Sequence, residues 1–497
     1  MKKALFILSL FFTTFSFCQV QIGSDVDGEA AGDFSGWSVS LSGDGSIVAI
    51  GARGNDGNGS NSGHVRVYKN QGGVWTQIGS DIDGEAVSDG SGVCVSLSND
   101  GSIVAIGSER NSGNGIMSGH VRVYKNIGGV WAKIGSDIDG EDAEDQSGFS
   151  LSLSNDGNIV AIGAYANNAG VTWIGNGNGR NGHVRVYKNV GGVWTQIGSD
   201  IDGEAALDNS GISVSLSSDG SIVAIGAIRN DGNGNQSGHV RVFQNIEGVW
   251  TQKGSDIDGE AAEDQSGEEV SLSDNGNIVA IGAEYNDGNG SNSGHVRVYE
   301  YVGGVWTQIG SDIDGEAAED RSGYRVSLSS DGSIVAIGAH ANDGNGISAG
   351  HVRIYKNIEG AWTQIVSDID GEDPEDGSGS SVDLSNDGSI VAIGATSNDG
   401  NGINSGHVRV FNLSAVLSID SFALKNTSMY PNPTNKEFTV RLGENIQFKK
   451  LRVYNTFGNC ILESDQKEVN IETLDNGLYF VEISTNKGKI TKKIVVK

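Results

Sequence analysis

Short hydrophobic runs alternate with polar and glycine-rich stretches along most of the chain, in an order that repeats. In the first unit, residues 38–42 (SVSLS) alternate between polar and apolar, 46–52 (SIVAIGA) are almost continuously apolar, and 64–70 (HVRVYKN) alternate again. Alternation predicts a strand with one buried face, and a continuous apolar run between turns predicts a strand covered on both faces. Residues 74–79 (VWTQIG) follow a QGG turn. One unit therefore predicts four antiparallel strands.

This unit occurs seven times. Its acidic first segment reads GSDIDGE or GSDVDGE, and VSDIDGE in the last copy, and it begins at Gly23, Gly79, Gly135, Gly198, Gly254, Gly310 and Val366. The copies are 56 residues apart, except that the third and fourth are 63 apart. A fixed period of this length with four strands per unit is typical of a β-propeller. The seventh copy lacks the VWTQI run, and residues 19–22 resemble it, so we expect the N-terminal strand to complete the last blade and close the ring.

The predicted organisation is all-β with four segments. Residues 1–18 read as a secretory signal peptide, with two lysines, an apolar run at 4–12 and the small residues Ser16 and Cys18 before a cut at Gln19. A lipoprotein cysteine at Cys18 is the alternative, although the bulky Phe17 precedes it. The seven-bladed propeller then spans 19–413, a linker spans 414–428, and a small β-sandwich spans 429–497.

Composition and charge narrow the classes of partner. The net charge is −30, which repels nucleic acid and anionic lipid and is compatible with cations, basic partners, neutral sugars or simple solubility. The apolar run of the signal is too short to span a bilayer, so we expect no transmembrane segment in the mature chain. Only Cys94 and Cys460 remain after the signal, which leaves no disulfide framework in an exported protein. We expect a monomer that packing stabilises.

The unit also resembles the FG-GAP repeat of integrin-like propellers. The matching residues are SGWSVSLSGDGSIVAIGA and GHVRVY, with Gly36 in the FG part and the pair Gly51 and Ala52 in the GAP part. The resemblance covers Gly23 to about Asn412 and implies a propeller fold. It departs from the family where Ser precedes the first Gly and no Pro follows GA. The family's calcium motif, DxDxDG, is replaced by the short turns SGDGS or SNDGS, so those ligands are not carried over.

The last segment resembles a different family, the type A C-terminal sorting domain of the type IX secretion system of Bacteroidetes. The matches are YPNPT, VYNTFGN, LDNGLYFVEI and a basic end, KKIVVK. They supply the expected sorting-motif residues Tyr430, Pro431, Asn432, Pro433, Gly458, Gly477, Lys492 and Lys493. The resemblance implies a partner in the secretion machinery, export through the periplasm and outer membrane, and a secreted or cell-surface location.

The candidate ligand site lies where otherwise similar copies differ. One variable position follows SG at the start of the first strand, and the other follows the IGA or IGS run. Strand alternation places both on the rim that bears the long loops, where binding residues usually sit. Aromatic and charged side chains there suit sugar stacking, and drift at exposed positions is the alternative. The candidates, with one tryptophan from the inserted loop, are Trp37, Arg53, Phe149, Tyr165, Trp173, Tyr324 and His340.

The acidic segments of the same rim are candidate cation ligands. Their oxygens suffice for calcium in number, although the order is not that of an EF-hand. Asx turns and pairing with the repeated arginines are the alternative. The candidates are Asp81, Asp83, Glu85, Asp256, Asp258, Glu260 and Asp264.

The sequence favours a binding or adhesion module, with a glycan or protein ligand, over an enzyme. No catalytic motif of the GxSxG, HExxH or CxxC type is present. A polysaccharide-active enzyme that uses the propeller mouth and a calcium-stabilised surface protein remain alternatives. We interpret the seven histidines of GHVRVY and the six tryptophans of WTQ or WAK as structural, the latter packing between blades.

Overall fold

A computed structural model describes residues 19–168, 180–417, 427–443, 446–455, 460–485 and 488–497. The predicted signal peptide, residues 418–426 of the predicted linker, Trp173 and Gly458 lie outside these ranges. Within them, no helix has the length and apolar character needed to cross a membrane.

Seven antiparallel sheets, one per repeat, form the blades, and the first three strands of each follow the predicted order. The first strands are Ser35–Leu41, Val95–Leu97, Ser150–Leu153, Ser213–Leu216, Val270–Leu272, Arg325–Leu328 and Ser378–Leu384. The second strands are Ile47–Ala52, Ile103–Ser108, Ile159–Ala164, Ile222–Ala227, Ile278–Ala283, Ile334–Ala339 and Ile390–Ala395. The third strands are His64–Asn70, His120–Ile127, His183–Val190, His239–Ile246, His295–Val302, His351–Ile358 and His407–Asn412.

The outer edge of each blade consists of a fourth strand and a two-residue fifth strand, both paired with the third strand. The fourth strands are Trp75–Gln77, Val130–Lys133, Val193–Gln196, Val249–Gln252, Val305–Gln308 and Ala361–Gln364. The fifth strands, which the sequence analysis placed in a loop, are Ile82–Asp83, Ile138–Asp139, Ile201–Asp202, Ile257–Asp258, Ile313–Asp314 and Ile369–Asp370. In blade 7 the N-terminal Val20–Gln21 and Val26–Asp27 take both places and pair with His407–Asn412, which confirms the predicted closure.

The blades form a closed ring around the first strands, each of which contacts the first strands on either side. On the rim of the short turns, one backbone N–H per blade donates to the matching carbonyl of the next blade at 2.8–2.9 Å. The last of these bonds, from Asn386 to Gly43, returns to blade 1. The seven residues are Gly43, Asn99, Asn155, Ser218, Asp274, Ser330 and Asn386.

Hydrophobic clusters fill the seams between consecutive blades. The apolar second strands lie between the first and third strands of their own blade, and nearly all of their residues are buried. The glycine of each IGA or IGS run permits the close approach of the next blade, because a Cβ on Gly51 would lie only 2.1 Å from the carbonyl oxygen of Gly92. The repeat therefore encodes both the strands and their seams.

The six repeated tryptophans pack in the seams, as predicted. Each indole Nε1–H donates to a backbone carbonyl of the preceding blade, for example from Trp131 to Ile78 at 2.7 Å. The seam between blades 6 and 7 has no such tryptophan, and Gln19 stands at the matching place. There Leu413 and Val416, the latter in the single-turn helix Ser414–Leu417, add apolar side chains to the cluster.

The C-terminal segment forms the predicted β-sandwich. A three-stranded sheet contains Thr427–Tyr430, Glu437–Leu442 and Glu468–Asn470. A four-stranded sheet contains Cys460–Ser464, Phe448–Tyr454, Gly477–Thr485 and Gly488–Val496. Phe438, Leu451 and Val481 are fully buried in the core that the two sheets share.

Candidate ligand site at the mouth of the central channel

The first strands line a central cavity of about 340 Å³. Its lining extends from the variable position after SG, at the long-loop rim, to the short turns at the other rim, where the ring of backbone hydrogen bonds lies. The repeated long loops meet at the first rim, because the Asn58 side chain donates to the Gly84 carbonyl at 2.8 Å. The variable residues therefore surround the open end of a channel built on a rigid ring.

The two variable positions of a blade lie against each other. The guanidinium of Arg53 stacks on the Trp37 ring at 3.2 Å from its centroid. In other blades the pairs are Phe149 with Tyr165 at 4.7 Å between ring centroids, Tyr324 with His340 at 4.2 Å, and the Ser380 and Thr396 hydroxyls at 3.3 Å. The structure thus brings together six of the seven predicted ligand residues as three pairs, and Trp173 lies outside the described residues.

The Arg53 guanidinium at this mouth lies near a buried acid. Burial lowers the pKa of Arg53, and the nearby Glu109 opposes that shift. Glu109 is 3 % exposed, and its Oε1 lies 3.3 Å from Nε of Arg110. The Trp37 ring and the Arg53 guanidinium are both half-buried, so they present an amphipathic stack to the channel.

An acidic sector lies in blades 5 and 6. Glu269 and Arg325 form an ion pair in the channel wall, with Nε and Oε2 3.5 Å apart. Burial raises the pKa of Glu269 to about 7, and Arg325 opposes this shift. Glu268 and Glu284 occupy the two variable positions of blade 5, and loss of solvation raises the pKa of both, that of Glu284 to about 7. This sector suits a ligand with positive charge.

Sequence reasoning missed Glu269 and Arg325. They stand at a position that holds serine in four of the other blades, where the hydroxyl donates to a glycine carbonyl of the next blade, as from Ser38 to Gly92 at 2.9 Å. The ion pair replaces that seam bond. A departure from serine at this position was the available signal, although the replacement of Ser by Cys94 in blade 2 shows that it is not specific.

The predicted cation residues contact other residues of the protein in several ways. Asp81 and Asp256 accept from the Gln77 and Gln252 side chains, at 2.7 and 2.6 Å. Glu85 and Glu260 face Arg122 and Arg297 of the next blade at 3.7 Å, and these arginines also donate to the backbone carbonyls of Asp83 and Asp258. Asp264 is buried and accepts from the backbone N–H of Ala261 and from Asn286. The arginine pairing therefore recurs at the rim, and Asp83 and Asp258 take part in it through their backbone carbonyls.

Three of these predicted residues, Asp81, Glu85 and Asp256, also belong to groups of two acids and a histidine that recur at the seams. In each of these groups a glutamate of one blade lies beside the histidine and the first aspartate of the next blade. One example is Glu29, His64 and Asp81, whose possible ligand atoms all lie within 4.8 Å of one another. Burial, with Arg66 nearby, lowers the pKa of His64 to about 4. These repeated groups could hold an ion. They match calcium poorly, because they offer one nitrogen and two carboxylates, while calcium takes six to eight oxygens. In addition, the positive charge of Arg66 lies 3.7 Å from Glu29.

Comparison with known proteins identifies two segments of the chain. Residues 24–68 match the FG-GAP repeat, and residues 428–497 match the secretion system C-terminal sorting domain. A curated relative, an ulvan lyase of Nonlabens ulvanivorans, is 34 % identical over 89 residues, which is 16 % of this chain and 16 % of that protein. The chain therefore spans about a sixth of the length of this relative.

Among solved structures the chain is similar to two proteins at low sequence identity. A putative 6-phosphogluconolactonase from Bacteroides uniformis has a TM-score of 0.46 and 11 % identity, covering 67 % of this chain and 85 % of its own. Hydrazine synthase of Kuenenia stuttgartiensis has a TM-score of 0.48 and 14 % identity, covering 79 % and 97 %.

The sorting domain implies secretion across the outer membrane, to the medium or the cell surface, through the type IX machinery. The seven sheets, their closed ring and the first-repeat match agree on the fold of the remainder. The chain is a secreted β-propeller protein that combines an FG-GAP repeat region with a secretion-system C-terminal sorting domain.

Proposed function

We propose that the protein is an extracellular glycan-binding module and that the long-loop mouth of its channel is the binding site. The observation that supports this is the set of paired variable side chains at the mouth, with three aromatic pairs or stacks in a ring that is otherwise repeated. Half-exposed aromatic faces bind the apolar faces of sugars, and neighbouring charged groups bind hydroxyls. The net charge of −30 favours a neutral or basic glycan over a polyanionic one.

A glycan array with the secreted chain tests this function. Trp37→Ala removes the stack with Arg53, and we expect it to abolish or strongly reduce the array signal. Ile116→Ala is the matched control, because Ile116 is 73 % exposed in a rim loop rather than at the channel. A blank array for the unmodified chain, or a signal that Trp37→Ala leaves intact, contradicts the proposal.

An enzyme that acts on polysaccharide is the second candidate. It is favoured by the channel carboxyls Glu269 and Glu284, whose pKa of about 7 would suit an acid catalyst near neutral pH. Over a short segment the chain also resembles a protein named as an ulvan lyase. Release of reducing ends from a bound glycan over time would favour this candidate, and binding without turnover favours the module.

Any cation at the rim would, in this proposal, reinforce the seams rather than bind the ligand. Groups of Glu, His and Asp recur at five or more of the seams, and none of the paired mouth residues belongs to the five groups that contain Glu29, Glu85, Glu141, Glu204 and Glu372. Melting temperatures in millimolar calcium and in excess chelator measure this reinforcement. An unchanged melting temperature would mean that calcium has no structural role and that the Arg–Glu pairs act alone.

A further inference from the structure

Blade 5 departs from the pairing seen at the mouth of the other blades. In five of the other six blades the two variable positions hold groups that attract or pack, such as Trp37 with Arg53 or the apolar Ile212 with Ile228, both 8 % exposed, and in blade 2 they hold Val93 and Glu109. In blade 5 they hold two carboxylates, Glu268 and Glu284. Two like charges in one buried pair are unfavourable unless a proton or a cation lies between them.

Glu284 is the buried member of this pair. It is 4 % exposed, and its Oε2 atom has no hydrogen-bond partner among the residues that the structure describes. The pKa of this carboxyl group is raised first by burial and then by the charge of Glu268, and the Tyr285 hydroxyl acts on it in the opposite direction. A buried carboxylate oxygen without a partner costs free energy that a donor from a ligand would recover.

The neighbouring arginines balance only part of this charge. Arg325 pairs with Glu269 at 3.5 Å and donates to the Tyr324 carbonyl at 2.8 Å, so its donors are largely used. Arg321 stacks on the Tyr285 ring at 5.1 Å and reaches its hydroxyl at 3.5 Å. The sector thus has three glutamates and only two arginines. Glu284 of blade 5 keeps a carboxylate oxygen, Oε2, that accepts no hydrogen bond from the described residues.

An ammonium group fits these acceptors better than a divalent metal ion does. Two carboxylates and one hydroxyl match the three N–H donors of a primary ammonium. Calcium requires six to eight oxygens, and the two arginines beside the pair would repel a double charge more than a single one. The tilted Tyr324 and His340 rings of blade 6 lie on the same side of the mouth and can pack on the ring of a sugar.

We propose that Glu268 and Glu284, with the Tyr285 hydroxyl, bind the primary ammonium of an amino sugar at the channel mouth. This inference rests on the proposed function and specifies its class of ligand, a glycan with unacetylated amino groups. The carboxylates supply the counter-charge, and the aromatic pairs supply the stacking surface.

Isothermal titration calorimetry of the secreted full-length chain tests this with two matched sugars. The probes are the fully deacetylated trisaccharide derived from chitosan and its N-acetylated counterpart, in about 0.15 M salt to screen the acidic surface. We expect the deacetylated sugar to bind at least ~10-fold more tightly, which corresponds to one charge-assisted interaction. Glu268→Gln and Glu284→Gln should each remove most of this preference.

Glu144→Gln is the control, because Glu144 is an exposed acid of the same rim and its substitution changes the net charge equally. Retention of the preference in both mouth variants, or its equal loss in the control, would show that the acidic surface alone attracts the amine. Equal binding of the two sugars by the unmodified chain overturns this inference and leaves glycan binding intact. Binding of neither sugar, together with a blank array, overturns both, and the ratio for the unmodified chain is informative even where a variant fails to fold.

Discussion

Single tryptophan side chains connect one blade to the next. The indole of Trp131 packs in the seam between blades 1 and 2 and donates to the Ile78 carbonyl at 2.7 Å. Trp131→Phe keeps an aromatic ring but leaves the carbonyl without its donor, so we expect a loss of ~1–2 kcal/mol in the free energy of unfolding. Urea denaturation measures it, with Val130→Ala as the control because Val130 is 66 % exposed on the same strand. Equal midpoints for the two variants would contradict this role.

Predictions about single residues were confirmed where all copies of the repeat share the residue, and they missed residues at which one copy differs from the others. The seam tryptophans and the pairing of arginines with acidic loops follow from period and alternation, because seven copies in a ring must place equal residues at equal interfaces. The ion pair of Glu269 and Arg325 did not follow, since its meaning depends on which residue the next blade offers. Asp383 is a similar case: it stands at a serine position and accepts the Leu41 N–H at 2.7 Å across the last seam.

Long strands could be predicted from the sequence, and very short ones could not. The third strand His64–Asn70 matches the predicted range, because alternation and flanking glycines mark both ends. The two-residue strand Ile82–Asp83 was missed, because it pairs with His64 and Val65 through only two positions and has too few residues for a periodic signal. Its pairing explains why the acidic segment holds a fixed place against the third strand.

The N-terminal strand offers a direct test of ring closure. Val20 and Gln21 pair with Asn412 and Phe411, and the Ile22 N–H donates to the Val410 carbonyl at 2.7 Å. Deletion of residues 19–22 exposes the edge of the last blade, so we expect a lower melting temperature and aggregation through that edge. Val20→Thr is the control, because it keeps the strand and changes a side chain that is 60 % exposed. A monodisperse deletion variant with an unchanged melting temperature would show that closure does not need this strand.

The whole ring combines exact repetition at its seams with asymmetry at one mouth. Seven backbone hydrogen bonds fix the short-turn rim, so the long-loop rim can vary without loss of the fold. The positions that vary lie against each other within a blade, as Trp37 meets Arg53, and lie apart from the repeated seam tryptophans. A site can therefore diverge blade by blade, which is why the location of the mouth could be predicted from the sequence and its charge balance could not.

Because the buried histidine of the third strand occurs in every blade, its effect on the pH dependence of stability is repeated around the ring. Burial lowers the pKa of the third-strand histidines, to about 4 for His64, His120, His183, His295 and His351. A histidine whose folded pKa lies below its ordinary value stabilises the fold above pH ~6.5, and this stability is lost as the pH falls towards 4 because the unfolded chain binds more protons. The neighbouring Glu29 and Glu260 have raised pKa values and act in the opposite sense, which offsets part of the effect.

We therefore expect the melting temperature to change little between pH 7.5 and ~6.5 and to fall as the pH is lowered further to 4.5, with the seven seams contributing together. Calorimetry across this range measures the fall, and a variant such as His183→Asn should make it smaller, because the variant removes one of the groups that bind a proton on unfolding. A flat profile between pH 7 and 5 would mean that the buried histidines gain a proton without strain, and that water or a carboxylate reaches them at every seam.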